Sequence, residues 1–350
     1  DRVFETTTTS ENDTTDSGGS DHIYSTVSQD LNAYNGAKYV ENLTLYGNNN
    51  INGYGNAYSN TIYGNSGQNI LRGVAGIDIL HGGNGNDTLY GGAGNDKSYG
   101  QAGNDSLYMD AGNDTLNGGS GADWLYVTGS TNSVVNLAKT TAQNTGFGTD
   151  VIKSIEHASG GKGVDKFYGT TGNNTLKGNN GNDILQGKNG NDNLQGGNNN
   201  DKLYGGSGND LLKGDAGRDL LRGDTGKDTM FGGSGADTFM FNKTSDSNVK
   251  ASKADIIKDF QQGQDRIDLK SIDASTELSG NNAFTFDGTD AFGTSKQGDI
   301  YYKQFDKSGT AKDYTMVYVD TDADRGTEMS IKLMGLYDLT VDDFVDDFIL

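Results

Sequence analysis

The chain has 350 residues and a formal net charge of −21, with 54 glycines and no proline or cysteine. The missing cysteines exclude disulfides and thiolate chemistry. The acidic excess argues against nucleic acid, which selects basic surfaces, and leaves disorder or cation binding. Only 32% of the residues are hydrophobic, too few for a thick core. No apolar run reaches the roughly 18 residues of a membrane helix, so no membrane span is predicted.

Residues 1–59 are interpreted as an N-terminal segment, partly disordered and partly a cap. Residues 1–20 are mostly Thr, Ser, Asp and Gly, so we expect them to be loosely ordered. The alternating segments 22–27 and 40–45 predict strands, which Ile51 and Ile62 continue. We expect these strands to close the open end of the repeat architecture that follows, because stacked repeats need a protected terminal unit.

An acidic residue then recurs every nine positions in two arrays. A hydrophobic residue follows two positions after each acid except at Ser98, and a glycine lies two positions before nearly every one, with Asn199 the exception. The thirteen phased acids are the predicted metal ligands: Asp78, Asp87, Asp96, Asp105, Asp114, Asp123, Asp183, Asp192, Asp201, Asp210, Asp219, Asp228 and Asp237.

Each nine-residue unit predicts one glycine turn and one short strand. Two units make an 18-residue coil, with strands on two faces and a single file of Leu between them. The sequence thus predicts an all-β chain with two parallel β-rolls in series. The first roll covers residues 60–127, connecting strands cover 128–164, the second roll covers 165–241, and a C-terminal β-rich cap covers 242–350.

Stacking brings acids 18 positions apart onto one edge, as with Asp78 and Asp96, where their charges repel. Ca²⁺ resolves the repulsion because it takes about six to eight oxygen ligands, here two Asp carboxylates and glycine-turn carbonyls. The gaps between same-edge acids number two and two in the first array and three and two in the second, which gives about nine Ca²⁺ ions. Sites are expected to be weak or absent where Asn60, Asn69 and Asn174 replace the acid.

The repeat resembles the RTX (repeats-in-toxin) nonapeptide G-G-x-G-x-D-x-U-x, a calcium-binding β-helix repeat. Gly82-Gly83-Asn84-Gly85-Asn86-Asp87 shows the motif, whereas Met109-Asp110 replaces the leading glycine pair before Asp114. The resemblance implies a parallel β-roll that binds calcium in a secreted protein, either extracellular or at the cell surface. Folding is then expected to follow calcium binding after export.

After Phe241 the repeat gives way to aromatic and alternating segments. Segments 255–260 and 265–269 predict two strands, and 284–286, 300–302, 314–319 and 331–333 predict antiparallel strands. This region resembles the C-terminal domain of serralysin-type proteases. That resemblance implies an ABC exporter as a partner and an uncleaved type I secretion signal at Asp347, Phe348, Ile349 and Leu350. The alternative is that these hydrophobic residues are core residues at a strand edge.

No catalytic centre is predicted. The sequence has neither a zinc H-E-x-x-H motif nor a G-x-S-x-G elbow, and three histidines lie far apart, at His22, His81 and His157. Enzyme activity is therefore expected only in an N-terminal part of the parent protein that precedes this sequence. Asp320, Asp322 and Asp324 resemble the start of an EF-hand loop, but the final Glu is missing, so a hairpin turn is favoured over a calcium site.

Basic residues are concentrated in the second array. Lys177 and Lys213 lie 36 positions apart, hence two coils apart on one face, and with Arg222 they are candidate ligands for an acidic polysaccharide. The repeat modules of alginate C5-epimerases provide that resemblance. The alternatives are ordinary charge balance and a surface-adhesin C-terminal region. Ice binding is disfavoured because Thr occupies the third position before the acid only at Thr225.

Overall fold

The computed structural model describes residues 2–4, 21–33, 40–272, 284–288, 299–306, 313–321 and 327–345. The structure is 51% strand and 3% helix, which confirms the all-β prediction. Its helical residues form 3₁₀ turns at Leu31–Ala33, Thr244–Asp246 and Val341–Asp343. Contacts divide the chain into two compact units, Asp1–Gly163 (unit 1) and Val164–Leu350 (unit 2). The expectation of loose order for residues 1–20 is wrong at Arg2–Phe4, which form a strand paired with the strand Asp21–Ser25. Residues 1 and 5–20 fall outside the described residues.

Unit 1 contains seventeen described strands: β1 (Arg2–Phe4), β2 (Asp21–Ser25), β3 (Gln29–Asp30), β4 (Val40–Leu45), β5 (Gly53–Tyr54), β6 (Thr61–Tyr63), β7 (Ile70–Ala75), β8 (Ile79–Asn84), β9 (Thr88–Ala93), β10 (Lys97–Ala102), β11 (Ser106–Met109), β12 (Thr115–Ser120), β13 (Trp124–Val127), β14 (Val134–Asn136), β15 (Gln143–Asn144), β16 (Thr149–Lys153) and β17 (His157–Ser159). One sheet has the order β1-β2-β4-β6-β8-β10-β12-β16-β15, and a second has the order β3-β5-β7-β9-β11-β13-β17. Two described pairs, β1–β2 and β15–β16, are antiparallel, and the other described pairs within these sheets are parallel.

Unit 2 contains sixteen described strands: β18 (Lys166–Tyr168), β19 (Thr175–Asn180), β20 (Ile184–Asn189), β21 (Asn193–Asn198), β22 (Lys202–Ser207), β23 (Leu211–Ala216), β24 (Leu220–Thr225), β25 (Thr229–Ser234), β26 (Thr238–Met240), β27 (Asp255–Ile257), β28 (Arg266–Asp268), β29 (Thr285–Gly288), β30 (Asp299–Phe305), β31 (Tyr314–Asp320), β32 (Met329–Met334) and β33 (Phe344–Val345). The sheet orders are β18-β20-β22-β24-β26-β28-β33 and β19-β21-β23-β25-β27-β32-β31-β30-β29. As predicted for the C-terminal region, β30, β31 and β32 pair in antiparallel fashion. The antiparallel prediction is wrong for segment 284–286, because β29 pairs in parallel with β30.

The strand register confirms the 18-residue coil. In unit 1 Leu89 lies opposite Leu107, and Leu107 lies opposite Leu125. In unit 2 Leu203 lies between Leu185 and Leu221 in the same way. Within the stacked repeats, successive strands alternate between the two sheets, so each strand pairs with the next strand but one. Each unit is therefore a parallel β-solenoid.

The core of each solenoid is a single file of side chains between its two sheets. Ser98, itself 4% exposed, is the polar member of this file in the repeats. The hydrophobic members are at most 2% exposed and comprise Ile62, Leu71, Leu80, Leu89, Leu107, Leu116, Leu125, Leu176, Leu185, Leu194, Leu203, Leu212, Leu221, Met230 and Phe239. A core one side chain wide needs one apolar residue per nine, which explains how a chain with so few hydrophobic residues folds.

The turns between strands depend on backbone conformations that favour glycine. Gly208, two residues before Asp210, has φ +138°, and a Cβ there would press against the carbonyl of Gly190 in the preceding coil. Asn199 replaces the corresponding glycine before Asp201, and its φ is +78°. Asn tolerates this left-handed region better than most residues, so the exception in sequence keeps the same turn.

Stacking continues beyond the nine-residue repeats. In unit 2, β27 pairs in parallel with β25, and β28 pairs in parallel with β26. The two strands predicted at 255–260 and 265–269 therefore lie in different sheets and form one further coil. In unit 1, β16 and β17 extend the two sheets in the same manner. In the part of the chain that the structure describes, no helix is long and apolar enough to span a membrane.

Candidate metal sites in the stacked turns

The thirteen predicted aspartates occupy one equivalent place in the fold. Each is the last residue of a turn, and a strand begins at the next residue, as β9 does after Asp87. All thirteen are at most 4% exposed. Because the coils stack in register, residues 18 positions apart follow one another along an edge of the solenoid. The structure thus brings the predicted acids together in two columns in each unit.

One carboxylate oxygen of every such aspartate is bonded to the backbone of the preceding coil. The N–H of Asp78 donates to Asp96 Oδ1 at 2.8 Å, and the N–H of Asp210 donates to Asp228 Oδ1 at 2.7 Å. The same bond, from the residue 18 positions earlier, reaches all thirteen acids. Such charge-assisted bonds offset part of the repulsion along each column.

The second carboxylate oxygen has no such bond. Among the described residues, Oδ2 of all thirteen aspartates is buried and accepts no hydrogen bond. A buried polar atom without a partner costs free energy, more so when it carries charge. Thirteen equivalent instances in one fold indicate a ligand that these oxygens are built to bind.

Every one of these Oδ2 atoms except that of Asp114 lies close to the glycine five residues earlier, and in eight of the turns a backbone carbonyl of the next coil lies close as well. A Cβ placed on Gly82 would lie 2.5 Å from Asp87 Oδ2 and 2.6 Å from the carbonyl oxygen of Gly100. Gly187 and Gly205, five residues before Asp192 and Asp210, stand in the same relation to the acid and to a glycine carbonyl of the next coil. Glycine therefore leaves open a small space where a carboxylate oxygen and a carbonyl oxygen converge. A charged carboxylate oxygen and a partially negative carbonyl oxygen converge in this way around a bound cation.

The raised pKa values of the stacked aspartates also favour a bound cation. Burial raises the pKa of Asp201 to about 8; the N–H bond from Asp183 opposes this shift, and the carboxylates of Asp183 and Asp219 add to it. Burial likewise raises the pKa of Asp87 to about 7. A nearby positive charge would restore the ionised form. Oxygen-only donors of this kind suit a hard divalent cation such as Ca²⁺.

The columns include four acids that the repeat period did not reveal. Beyond the arrays, the N–H of Asp114 donates to Asp150 Oδ1 at 2.7 Å, and the N–H of Asp123 donates to Glu156 Oε2 at 2.9 Å. In unit 2, the N–H groups of Asp228 and Asp237 donate to Oδ1 of Asp255 and Asp265 at 2.8 and 3.0 Å. Asp150 and Asp255 keep the nine-residue phase, at 36 and 27 residues after their donors, whereas Glu156 and Asp265, at 33 and 28 residues, do not; none of the four follows its donor by 18 residues. Three of them, Asp150, Asp255 and Asp265, are followed two positions later by a buried isoleucine, as the acids of the arrays are followed by a buried residue, and that is the signal that could have found them.

The asparagines that precede the arrays close their own turns. Oδ1 of Asn60 accepts the N–H of Asn56 at 2.8 Å, and Oδ1 of Asn69 accepts the N–H of Asn65 at 2.8 Å. The amide Nδ2 of Asn69 donates to the carbonyl of Ile51 at 2.6 Å, in the preceding coil. A neutral amide thus supplies both an acceptor and a donor where an aspartate supplies acceptors alone. Weak or absent calcium sites at these turns stay a prediction.

The three candidate polysaccharide ligands do not form one group. Lys177 and Lys213 lie in register on one sheet, on either side of Gln195. Arg222 lies in the other sheet of unit 2, opposite Tyr204. Its Nε is 2.8 Å from Asp224 Oδ1. Arg222 is therefore held in an ion pair, apart from the two lysines.

Two further sequence predictions concern the C-terminal region. The proposed secretion signal, Asp347 to Leu350, lies outside the described residues. In the EF-hand-like segment, Asp320 ends β31 and pairs with Asp299 of β30 across the antiparallel ladder. The rest of that segment, residues 322–326, also lies outside the described part. Both predictions stay as they were made.

The chain matches the model of a known protein family. The family model for the C-terminal region of serralysins (Peptidase M10 serralysin C terminal) matches residues 4–346. The chain belongs to this family. Membership confirms the predicted resemblance to RTX-type repeats. The family model describes the repeat region of serralysins and not their catalytic part.

Solved structures of repeat modules are also similar. The solution structure of the AlgE6R3 subunit from the Azotobacter vinelandii mannuronan C5-epimerase is 28% identical, covering 44% of this chain and 76% of that chain, with a TM-score of 0.32. The AlgE6R2 subunit of the same epimerase is 23% identical, covering 53% of this chain and 90% of that chain, with a TM-score of 0.27. A comparison with curated proteins gave no match.

Proposed function

We propose that the chain is a calcium-binding module of a secreted RTX protein. The observation that carries this proposal is the buried, unpartnered Oδ2 of all thirteen periodic aspartates, each beside a backbone turn. Their carboxylates and the glycine carbonyls of adjacent turns would hold the ions. The gaps between same-edge acids in the two arrays predict about nine Ca²⁺ ions. The columns continue beyond these arrays through four further acids, Asp150, Glu156, Asp255 and Asp265.

The proposed function is metal-coupled folding during export. Bound Ca²⁺ would supply positive charge between carboxylates that otherwise repel. At cytosolic calcium the acid columns keep the chain extended enough for a type I ABC exporter. Outside the cell, at millimolar calcium, the turns close and the coils stack. The last four residues, Asp347 to Leu350, would act as the uncleaved export signal. We assign no catalytic step to this chain.

Direct calcium binding tests the proposal. In a titration against a chromophoric chelator at neutral pH, we expect several Ca²⁺ ions per chain. Excess Mg²⁺ should compete poorly, because Mg²⁺ demands a small octahedral cage and dehydrates reluctantly. Binding of fewer than two Ca²⁺ ions per chain, or equal competition by Mg²⁺, would contradict the proposal.

A second candidate function is recognition of a polyanionic polysaccharide by unit 2. Lys177 and Lys213 flank Gln195 on one sheet. Beside them lies a groove lined by Asn179, Asn180, Gln195, Gly197, Asn198 and Asp215, whose amides could bind sugar hydroxyls. The lysines would supply the charge attraction and the amides the orientation.

Alginate titration of the calcium-loaded protein tests this candidate. The double variant Lys177→Glu and Lys213→Glu should bind alginate at least several-fold more weakly, with the largest difference at low salt. The matched control is Lys166→Glu and Lys202→Glu, because those lysines have the same spacing on the other sheet, on either side of Ile184. Equal weakening by both pairs would indicate a net-charge effect and rule out a site.

A further inference from the structure

One turn of unit 1 differs from the other aspartate turns. Elsewhere in the two arrays a glycine stands five residues before the aspartate, whereas Met109 occupies that place before Asp114. Met109 ends β11 and is 1% exposed. The next residue, Asp110, replaces the second glycine of the motif. Asp114 therefore lacks the glycine that the other aspartates have, and an additional carboxylate, that of Asp110, accompanies the change.

Asp110 lies beside two acids of the column. The carboxylates of Asp96, Asp110 and Asp114 each offer an oxygen, and these atoms all lie within 4.8 Å of one another. Among the described residues, no other three acids or histidines meet this condition. Asp110 Oδ2 accepts the N–H of Gly92 at 2.5 Å, which fixes its carboxylate toward the gap between the coils.

An independent observation indicates a ligand at this cluster. Oδ2 of Asp96 and Oδ2 of Asp114 are buried and accept no hydrogen bond from any described residue. The two side chains belong to residues that are only 2% and 4% exposed. Three carboxylates, two of which leave one oxygen without a hydrogen-bond partner among the described residues, concentrate more negative charge here than two carboxylates alone would. A cation in this gap would therefore gain more than a cation held by two carboxylates.

Two other turns carry an aspartate at the same repeat position, and both are compensated. Asp224 is paired with Arg222 at 2.8 Å. Asp215 Oδ2 accepts a hydrogen bond from the side-chain amide of Gln195 at 2.7 Å. Asp110 thus differs from its two repeat equivalents, because no described cation or side-chain amide neutralises it.

We propose that Asp110 is a third carboxylate ligand of the cation between Asp96 and Asp114, and that this gap is the tightest calcium site of unit 1. The inference rests on the proposed calcium function and specifies the order in which the sites fill. Calcium affinity in proteins rises with the number of carboxylate ligands. The site would fill first as calcium rises, and it would start the stacking of the coils on either side.

The test compares Asp110→Asn with Asp224→Asn in the full chain. Trp124 is the single tryptophan and lies in β13 of unit 1, so its fluorescence reports this unit. In a calcium titration, Asp110→Asn should raise the midpoint of the Trp124 transition by on the order of tenfold. Asp224→Asn should leave that midpoint unchanged, because Asp224 lies in unit 2 and is already neutralised by Arg222.

A second variant covers the outcome in which Asp110→Asn fails to fold. Asp110→Gly restores the glycine that the motif usually has here and should give the same rise in midpoint. Wild-type midpoints for both Asp110 variants, with calcium still folding the chain, would overturn the inference and leave the proposed function standing. A wild-type chain without any calcium response would instead contradict the proposed function.

Discussion

Removing calcium is expected to unfold most of the solenoid. With the ions chelated, thirteen buried oxygens lose their expected partner and the carboxylates in each column repel. The apolar file, one side chain wide, contributes too little to offset the entropy of ordering nine residues per unit. Each lost site would also remove about 2.7 kcal/mol of stabilisation if calcium had stood at 100 times its dissociation constant.

Far-ultraviolet circular dichroism in excess chelator measures this prediction. The strand signal should be largely lost in chelator and should return between about 0.1 and a few mM Ca²⁺, the range of extracellular calcium modules. An equal concentration of Mg²⁺ in the presence of a calcium-selective chelator is the control and should restore little signal. A spectrum that is the same in chelator and in millimolar calcium would contradict metal-coupled folding.

The sequence predicted the repeating part of the fold because one physical rule governs it. An apolar residue every nine positions and a glycine before nearly every acid specify one strand and one turn, and two such units must alternate between two sheets. The observed register of Leu185, Leu203 and Leu221 follows directly from that rule. The acid columns follow from it as well, since residues 18 positions apart meet along one edge.

What departs from the 18-residue coil spacing could not be predicted in the same way. Asp255 and Asp265 continue the columns after intervals of 27 and 28 residues, because inserted loops lengthen the connections while the strands keep stacking. The separation of Arg222 from Lys177 depends on which sheet each strand joins. It also depends on a local ion pair with Asp224. Neither the sheet that a strand joins nor this ion pair can be predicted from charge composition alone.

The sequence predicted only repulsion between the carboxylates of a column, whereas the structure shows that each carboxylate also accepts a stabilising hydrogen bond. Oδ1 of each acid accepts a backbone N–H from the preceding coil, so half of each carboxylate is satisfied within the fold. The other oxygen, Oδ2, faces the space next to a glycine in every array acid but Asp114. The glycine five residues before the acid therefore has a role in the site itself. Substituting it tests the site without altering any charge.

Gly82→Ala is expected to remove one calcium site while leaving every acid in place. The new Cβ would lie 2.5 Å from Asp87 Oδ2 and 2.6 Å from the Gly100 carbonyl, closer than atoms can approach, so the two oxygens must separate. Overpacking of this kind costs about 1–3 kcal/mol by itself. The loss of the site adds a second cost that grows by about 1.4 kcal/mol for each tenfold rise in calcium.

Gly55→Ala is the matched control, because it has the clash without the acid. A Cβ on Gly55 would press against Asn60 Oδ1 and lie 2.5 Å from the Gly73 carbonyl, but this turn is closed by an amide. Gly172→Ala, whose nearest neighbour is Thr170 Oγ1 at 3.8 Å, should be tolerated or stabilising by about 0.4–1 kcal/mol. Urea unfolding at several calcium concentrations separates the three variants. The free energy of unfolding that Gly55→Ala loses should be the same at each concentration, whereas the loss for Gly82→Ala should increase with calcium. Parallel losses for Gly82→Ala and Gly55→Ala would show that the space beside Asp87 binds no ion.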